Sequence, residues 1–485
     1  MKTLNIFILL LTFTFSGCNK DSYFKPYAKI DDFSIVPESI ESRYIITQLD
    51  SINIYPVLQG LNTEKSYSYE WRLYTGSTFT VLSTEKNLKE VIVLGTGTYS
   101  LQYSVIDNDT KIKAISALFY VEVTGGFSQG WIIGNNVNGK GQLSFIRDLD
   151  DNISYNTLEE LNNAVYPGKV IAAYSGAVGS FFSGQFKQIL YFTDQGLTVF
   201  NSDNMMQTSE LDYYFIDPLT YLNKPGYGIS GTLYDQYLVN EGLLYAAEGQ
   251  DFFGAEIVDY GKFTPAFEGD YSLFPFVFSS TGSPTYFYDN KNKKFLSVPY
   301  FGRSFSYPTT SMTNAQFSLN AVGRTMVAAD QCKSNNYFAL LKDNSNDYYI
   351  YYLPFSATSA VSGGKYYKLS SFAGLDKLAA FAASNVWDYA YFAAENKIYK
   401  IDGTNGTVTL FQEFPSDTQV ADIKILKNGT ESGKQITVAL NKGETGEIQY
   451  IYMTTFGDRD TSRESKVFTG FGHIVNLSYR LPNAG

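Results

Sequence analysis

One thiol sits in a local sequence that dictates its chemistry. Lys2 supplies a positive start, and an apolar run from Leu4 to Phe15, broken only by Asn5, Thr12 and Thr14, leads into Ser16-Gly17-Cys18. A run of this length is too short to cross a bilayer as a folded helix and suits the core of a signal peptide. Small residues before the cut let the chain lie extended in a peptidase. A cysteine directly after them is the lipobox arrangement, in which the thiol takes a diacylglyceryl group before cleavage. The expectation is a lipoprotein signal peptide over 1–17, lipidation at Cys18, and a tether over 18–28. Each buried acyl methylene contributes about 0.8 kcal/mol, so several chains on one residue hold firmly. No other stretch is long and apolar enough for a membrane span, so membrane contact is expected through the anchor alone.

Few other residues are equipped for chemistry. Cys332 is the only other cysteine, which leaves no intramolecular disulfide for the lipidated chain and reads as a buried, inert thiol. His473 is the single histidine, which argues against histidine zinc sites and catalytic triads. It stands beside Gly472 at the start of a strand and reads as structural. A net charge of −11 argues against nucleic acid. A glycosidase needs two carboxylates facing one pocket, and no spacing among the 48 acids singles out a pair. Asp194-Gln-Gly196 matches part of one sialidase-type Asp box, once only, and reads as a hairpin turn. Asp343-Asn-Ser-Asn-Asp347 begins like an EF-hand loop but lacks its glycine and closing glutamate, and also reads as a turn. No catalytic constellation, metal site or cofactor motif is read, and the chain is expected to be non-enzymatic. With 40 Tyr and 37 Phe, binding through flat rings fits better. Rings in long inter-hairpin segments are the candidates for ligand or partner contact: Tyr213 and Tyr214, Phe252 and Phe253, and Tyr300 and Tyr307 near Arg303.

The elements that must position such groups are strands. Tyr67, Tyr69, Trp71 and Leu73 alternate with polar residues, as do Tyr99, Leu101, Tyr103 and Val105, and Ser51–Val57 behaves likewise. Period two in short segments predicts an antiparallel immunoglobulin-like sandwich over 29–124 with Trp71 at its centre. Gly97-Thr98-Tyr99 is read as a tyrosine corner and Asp107-Asn-Asp109 as the turn after that strand. Beyond residue 127, pairs of apolar strands recur at intervals of roughly 45 to 57 residues, the spacing of propeller blades. They lie at 131–146, 189–200, 243–258, 286–298, 337–353, 389–401 and 436–452. The opening strand Gly130–Ile133 and the final strand Gly472–Tyr479 each lack a hairpin partner, and joining them would remove the last open edges. The expected fold is therefore all-β, a sandwich followed by a β-propeller over 127–485. Seven blades are predicted, six or eight remaining open, with two stacked sandwiches as the alternative.

Tyr69-Glu-Trp71 followed by Gly97-Thr-Tyr-Ser-Leu-Gln-Tyr-Ser-Val-Ile-Asp-Asn-Asp109 resembles a PKD-type immunoglobulin-like domain. The usual Asp and Gly run after the Trp is replaced by Arg72-Leu-Tyr-Thr-Gly76. The lipobox, this domain, the Gly-Trp-Ile-Ile opening strand and the Phe-Gly-His-Ile-Val closing strand together resemble the PKD-like family of Bacteroidota lipoproteins, and Asn19-Lys20-Asp21 partly matches their surface-export signal. The resemblance implies a surface-exposed outer-membrane lipoprotein beside a SusC-like transporter and a SusD-like lipoprotein. It would be an accessory of a TonB-dependent importer that binds ligand, peptide more often than glycan, or docks on the transporter. A carbohydrate-active propeller enzyme and a structural adhesin are the competing readings.

Overall fold

The computed structural model describes residues 32–480, apart from positions 49, 77, 93 and 95 and segments 181–183, 232–234, 249–260, 280–283, 309–314, 356–363 and 371–373. The signal segment, the tether and Cys18 lie outside the described residues, as do Phe252 and Phe253. The chain divides into two compact units, Met1–Thr124 and Gly125–Gly485.

In the first unit the alternation in the sequence becomes a two-faced barrier. Tyr67–Thr75 lies between Thr78–Ser83 and Gly97–Asp107, and Phe119–Thr124 continues the same sheet. One pairing departs from the antiparallel expectation, because Arg43–Thr47 joins Phe119–Thr124 in parallel at the sheet's edge. Opposite lie two short pairs, Ser51–Ile54 with Leu88–Val91 and Ser34–Ile35 with Leu58–Gln59. Trp71, Leu101, Tyr103 and Val105 meet Ile52, Ile54 and Leu88 in one core. The Trp71 indole donates to the Glu85 carbonyl at 2.8 Å, which meets the need of a buried N–H for an acceptor. The turn after the central strand is closed by its own side chain, since Asp107 Oδ1 accepts the amides of Asp109 and Thr110.

The second unit is a propeller-like succession of antiparallel sheets in chain order. Val170–Ser180, Gly184–Thr193 and Gly196–Asn201 form one; Gly226–Ile229, Asp235–Asn240 and Leu243–Glu248 the next; then Thr285–Asp289 with Lys294–Val298. Two four-stranded sheets follow, from Thr325 to Lys368 and from Leu378 to Glu413. Short backbone pairings supply missing edges: Thr208 to Val199, Phe267 to Leu244, and Ser306 with Ser297. The last sheet carries the closing strand. Lys466–Arg480 runs beside Thr445–Tyr452 in its first half and beside Gly130–Val137 in its second, so the first and last strands of this unit share one sheet.

Hairpins at 131–146, 189–200, 286–298, 337–353, 389–401 and 436–452 stand where the apolar periodicity predicts them. The partner predicted for Leu243–Ala247, at 255–258, lies outside the described residues; Leu243–Glu248 joins the preceding Asp235–Asn240. Its two-residue turn explains why, for Glu241 and Gly242 both take positive φ (50° and 78°), the geometry that matches the twist of a tight hairpin.

The sheets are tied to one another by a repeated device. Side-chain amides copy a backbone pairing, each accepting from the N–H and donating to the C=O of a single residue in another strand, three of the four in a neighbouring sheet. Asn136 does this at Val170, Asn290 at Met326, Asn441 at Ile474, and Asn476 at Ala173, all between 2.8 and 3.3 Å. The strands that open the sheets also share a register shift near their starts: Val170/Ala172, Met326/Ala328, Leu378/Ala380 and Val420/Asp422. Such bulges bend a strand and sharpen its twist.

Candidate functional site

The opening strands pack side by side. Val170–Ser180 contacts Gly226–Ile229 and the closing strand, Leu378–Ala383 contacts Thr325–Gln331 and Gln419–Ile425, and the last of these contacts the closing strand. Where these strands end, two sheets contribute to a cavity of about 240 Å³ walled by Trp131, Asp330, Gln331, Lys424, Ile425, Lys427, Asn428 and Tyr479. Residues nearly 350 positions apart in sequence meet here because the closing strand sits against the opening one.

The aromatic wall is a cross-strand pair. Trp131 and Tyr479 are register partners with ring centroids 4.9 Å apart and planes at 62°, an edge-to-face contact. Tyr479 is fixed through its hydroxyl, which donates to Asp148 at 3.0 Å and accepts from Gln129 at 2.8 Å. Burial raises its pKa, and it stays protonated. Gly130 starts this strand at φ 153°, and a Cβ there would stand 2.2 Å from the Ile146 carbonyl. Only glycine lets the two strands approach in this way.

The charged wall is mostly self-satisfied. Lys427 Nζ reaches Asp330 Oδ1 at 2.7 Å and the Gln331 carbonyl at 2.5 Å. Asp330 Oδ2 accepts the Ala383 amide at 2.8 Å. Behind the wall, Asp422 accepts the amides of Ile423 at 2.8 Å and Leu477 at 2.9 Å. These carboxylates therefore bind strand to strand. Lys424 differs, with its Nζ 3.5 Å from Asp422 Oδ1 and its side chain 41% exposed. Burial lowers its pKa, but the nearby Asp422 and Asp330 carboxylates outweigh that, and the net shift is upward. The ammonium is charged at neutral pH.

The residues singled out from the sequence lie elsewhere. Tyr213 is exposed, 5.3 Å from the Tyr214 ring and under the Lys262 ammonium at 4.6 Å. Tyr214 is tied down, its carbonyl accepting the Phe263 amide at 2.7 Å. Tyr300 is exposed beside Phe301, Arg303 is exposed, and Tyr307 lies under Lys294 at 4.4 Å. Phe305, in the same segment, packs between Phe267 and Tyr271 instead. None of these lines the cavity. The groups that do line it include Asp330, Lys424 and Lys427, whose signal was a charge inside or just after an apolar opening strand.

The remaining special residues are structural. Cys332 is buried, and burial pushes its thiol up to about 12. His473 Nδ1 lies 3.1 Å from the Gly443 carbonyl and Nε2 3.3 Å from the Asn441 amide, clamping a hairpin turn. Asp343 accepts the amides of Ser345 and Asp347 within its own turn. Among the described residues no group of three or more metal-ligating side chains comes together.

The chain is thus an all-β protein with an immunoglobulin-like first unit and a propeller-like second one. The sequence model of the PKD-like family matches residues 18–169. No curated protein matches the chain. Solved structures resemble it distantly. Dihydro-heme d1 dehydrogenase NirN in complex with DHE has 7% identity and TM-score 0.37, over 78% of this chain and 72% of that one. The WD40 domain of SCAP from fission yeast has 8% identity and TM-score 0.36, over 62% and 74%.

Proposed function

We propose that this protein is a surface lipoprotein, anchored through Cys18 to the outer membrane, that serves a SusCD-like TonB-dependent importer as a non-enzymatic ligand-binding accessory. Its second unit is a seven-bladed ring whose axial mouth is the cavity between Trp131, Lys424 and Tyr479. Lateral packing of the opening strands, and a closing strand that pairs with two hairpins, support that reading. Exposed aromatics such as Tyr213, Tyr300 and Tyr307 are surfaces for docking on the transporter or its SusD-like partner.

The convergence of an aromatic pair, two ammonium groups and an engaged carboxylate from two sheets on one mouth carries the binding reading. Ring faces take up apolar or sugar surface at low entropic cost, and fixed charges orient what lands on them. The mouth's carboxylates are engaged by backbone amides, which suits a rigid receptor wall. The anchor rests on the signal segment and lipobox ending at Cys18, and the importer on the family resemblance.

Affinity purification of the tagged, lipidated chain from detergent-solubilised outer membranes tests this. A SusC-like transporter and a SusD-like lipoprotein should co-elute, with short peptides released on denaturation. Trp131→Ala should keep the transporter and lose the peptides. Recovery of no transporter, or turnover of peptides or glycans by the pure chain, would defeat the proposal.

A further inference from the structure

We infer that the axial mouth captures its ligand by a carboxylate. This rests on the reading of the mouth as a binding site and specifies what it selects. The cavity of about 240 Å³ is smaller than the roughly 300 Å³ at which whole-ligand pockets begin, so it receives a terminal group and not an entire oligomer.

The hydrogen-bonding state of its wall decides which group. Lys427 spends its ammonium on Asp330 and the Gln331 carbonyl. Lys424 has three N–H donors and one distant carboxylate oxygen, and that oxygen already accepts the Ile423 amide. The Trp131 indole is 0% exposed and its Nε1 offers no surface to a ligand, so the unspent donors of this wall are those of Lys424. An ammonium with unmatched donors favours a ligand that brings an acceptor. Such donors beside the half-buried Tyr479 ring suit an anion with an apolar neighbour. A carboxylate has that form, whether it ends a short peptide or belongs to a uronic acid.

Titration calorimetry on the full lipidated chain in detergent tests this with four probes: Ala-Phe-Ala as free acid and as C-terminal amide, and trigalacturonate as free acid and as methyl ester. At least one free acid should bind tenfold or more tighter than its neutral partner. Lys424→Met should erase that difference and Lys424→Arg should keep it, with an unchanged melting temperature showing that each variant folds. A peptide acid that binds where trigalacturonate does not identifies peptide as the source, and the reverse identifies an acidic sugar. Equal binding of acid and neutral forms, or discrimination that survives Lys424→Met, overturns the inference while leaving a binding mouth. Binding of no probe removes the mouth as a ligand site, and the inference with it.

Discussion

Cys332 shows how one residue's surroundings decide its chemistry. It packs among Phe338, Ile350 and Phe381, and the apolar setting that raises its thiol to about 12 also shuts out reagents. At pH 8 only roughly one molecule in ten thousand would carry a thiolate. In a Cys18→Ser chain, Ellman's reagent should leave the native protein unlabelled over hours and react fully in guanidinium. Stoichiometric labelling of native protein within minutes would refute the buried placement. Asp107 gives a second, oppositely signed case. Hydrogen bonds from its turn amides, with Lys65 at 3.0 Å, hold its carboxyl well below the usual range. A carboxyl depressed in the folded state lends stability that is present above its unfolded pKa of about 3.9 and fades as pH falls toward the folded value. The melting temperature of the first unit should therefore be flat from pH 8 to 5 and drop below pH 4. Asp107→Asn should lower the neutral-pH value and flatten the acid slope, and an unchanged slope would show that the carboxylate does not govern it.

At the scale of elements, the amide clasps hold sheet to sheet. Asn476 accepts from the Ala173 N–H and donates to its C=O, both at 2.9 Å. Asn476→Asp keeps the acceptor, loses the donor, and sets an anion against a carbonyl, at a cost of about 2 to 3 kcal/mol. Chemical denaturation should report that loss with Asn476→Ala close behind, and a loss below about 0.5 kcal/mol would mean the clasp is incidental. The glycines of Gly226–Ile229 bear on the same packing. A Cβ on Gly226 would stand 2.1 Å from the Pro275 carbonyl, whereas one on Gly429 meets nothing within 4 Å. Gly226→Ala should be severely destabilising and Gly429→Ala should cost about 1 kcal/mol, from its positive φ alone, by the same measurement. Much of this level was legible in advance. Alternation marked Trp71, Leu101 and Tyr103 as core, and apolar pairs marked most hairpins, because burial on a pleated surface writes itself into period two. The clasps were not legible, since an Asn in or just after a strand carries no sign of its partner until the neighbouring strand is known. The cavity was not legible for a related reason. Exposed aromatics in long loops stand out in a sequence, while the cavity is lined by ring and charge positions that look like core until strand ends from two sheets are brought together.

The whole molecule depends on one strand. Lys466–Arg480 pairs with Thr445–Tyr452 and with Gly130–Val137, and its Asn476 and Ser478 side chains reach the strand starting at Val170. Removing its second half would strip Gly130–Val137 of a partner, leave Asp422 Oδ2 without the Leu477 amide it accepts, and delete Tyr479 from the mouth. The bared edge of Gly130–Val137 would then face water, a state that invites association with other chains. The first unit has its own core around Trp71 and takes no residue from this strand. Truncation after Phe471 should therefore split the two units in calorimetry. The transition of the first unit should persist at its original temperature, the cooperative transition of the second should vanish, and the truncated chain should sediment as aggregates. A truncated chain that keeps a sharp second transition and stays monomeric would show that the sheets stand without closure, and the ring would then have to be abandoned in favour of independent sandwiches.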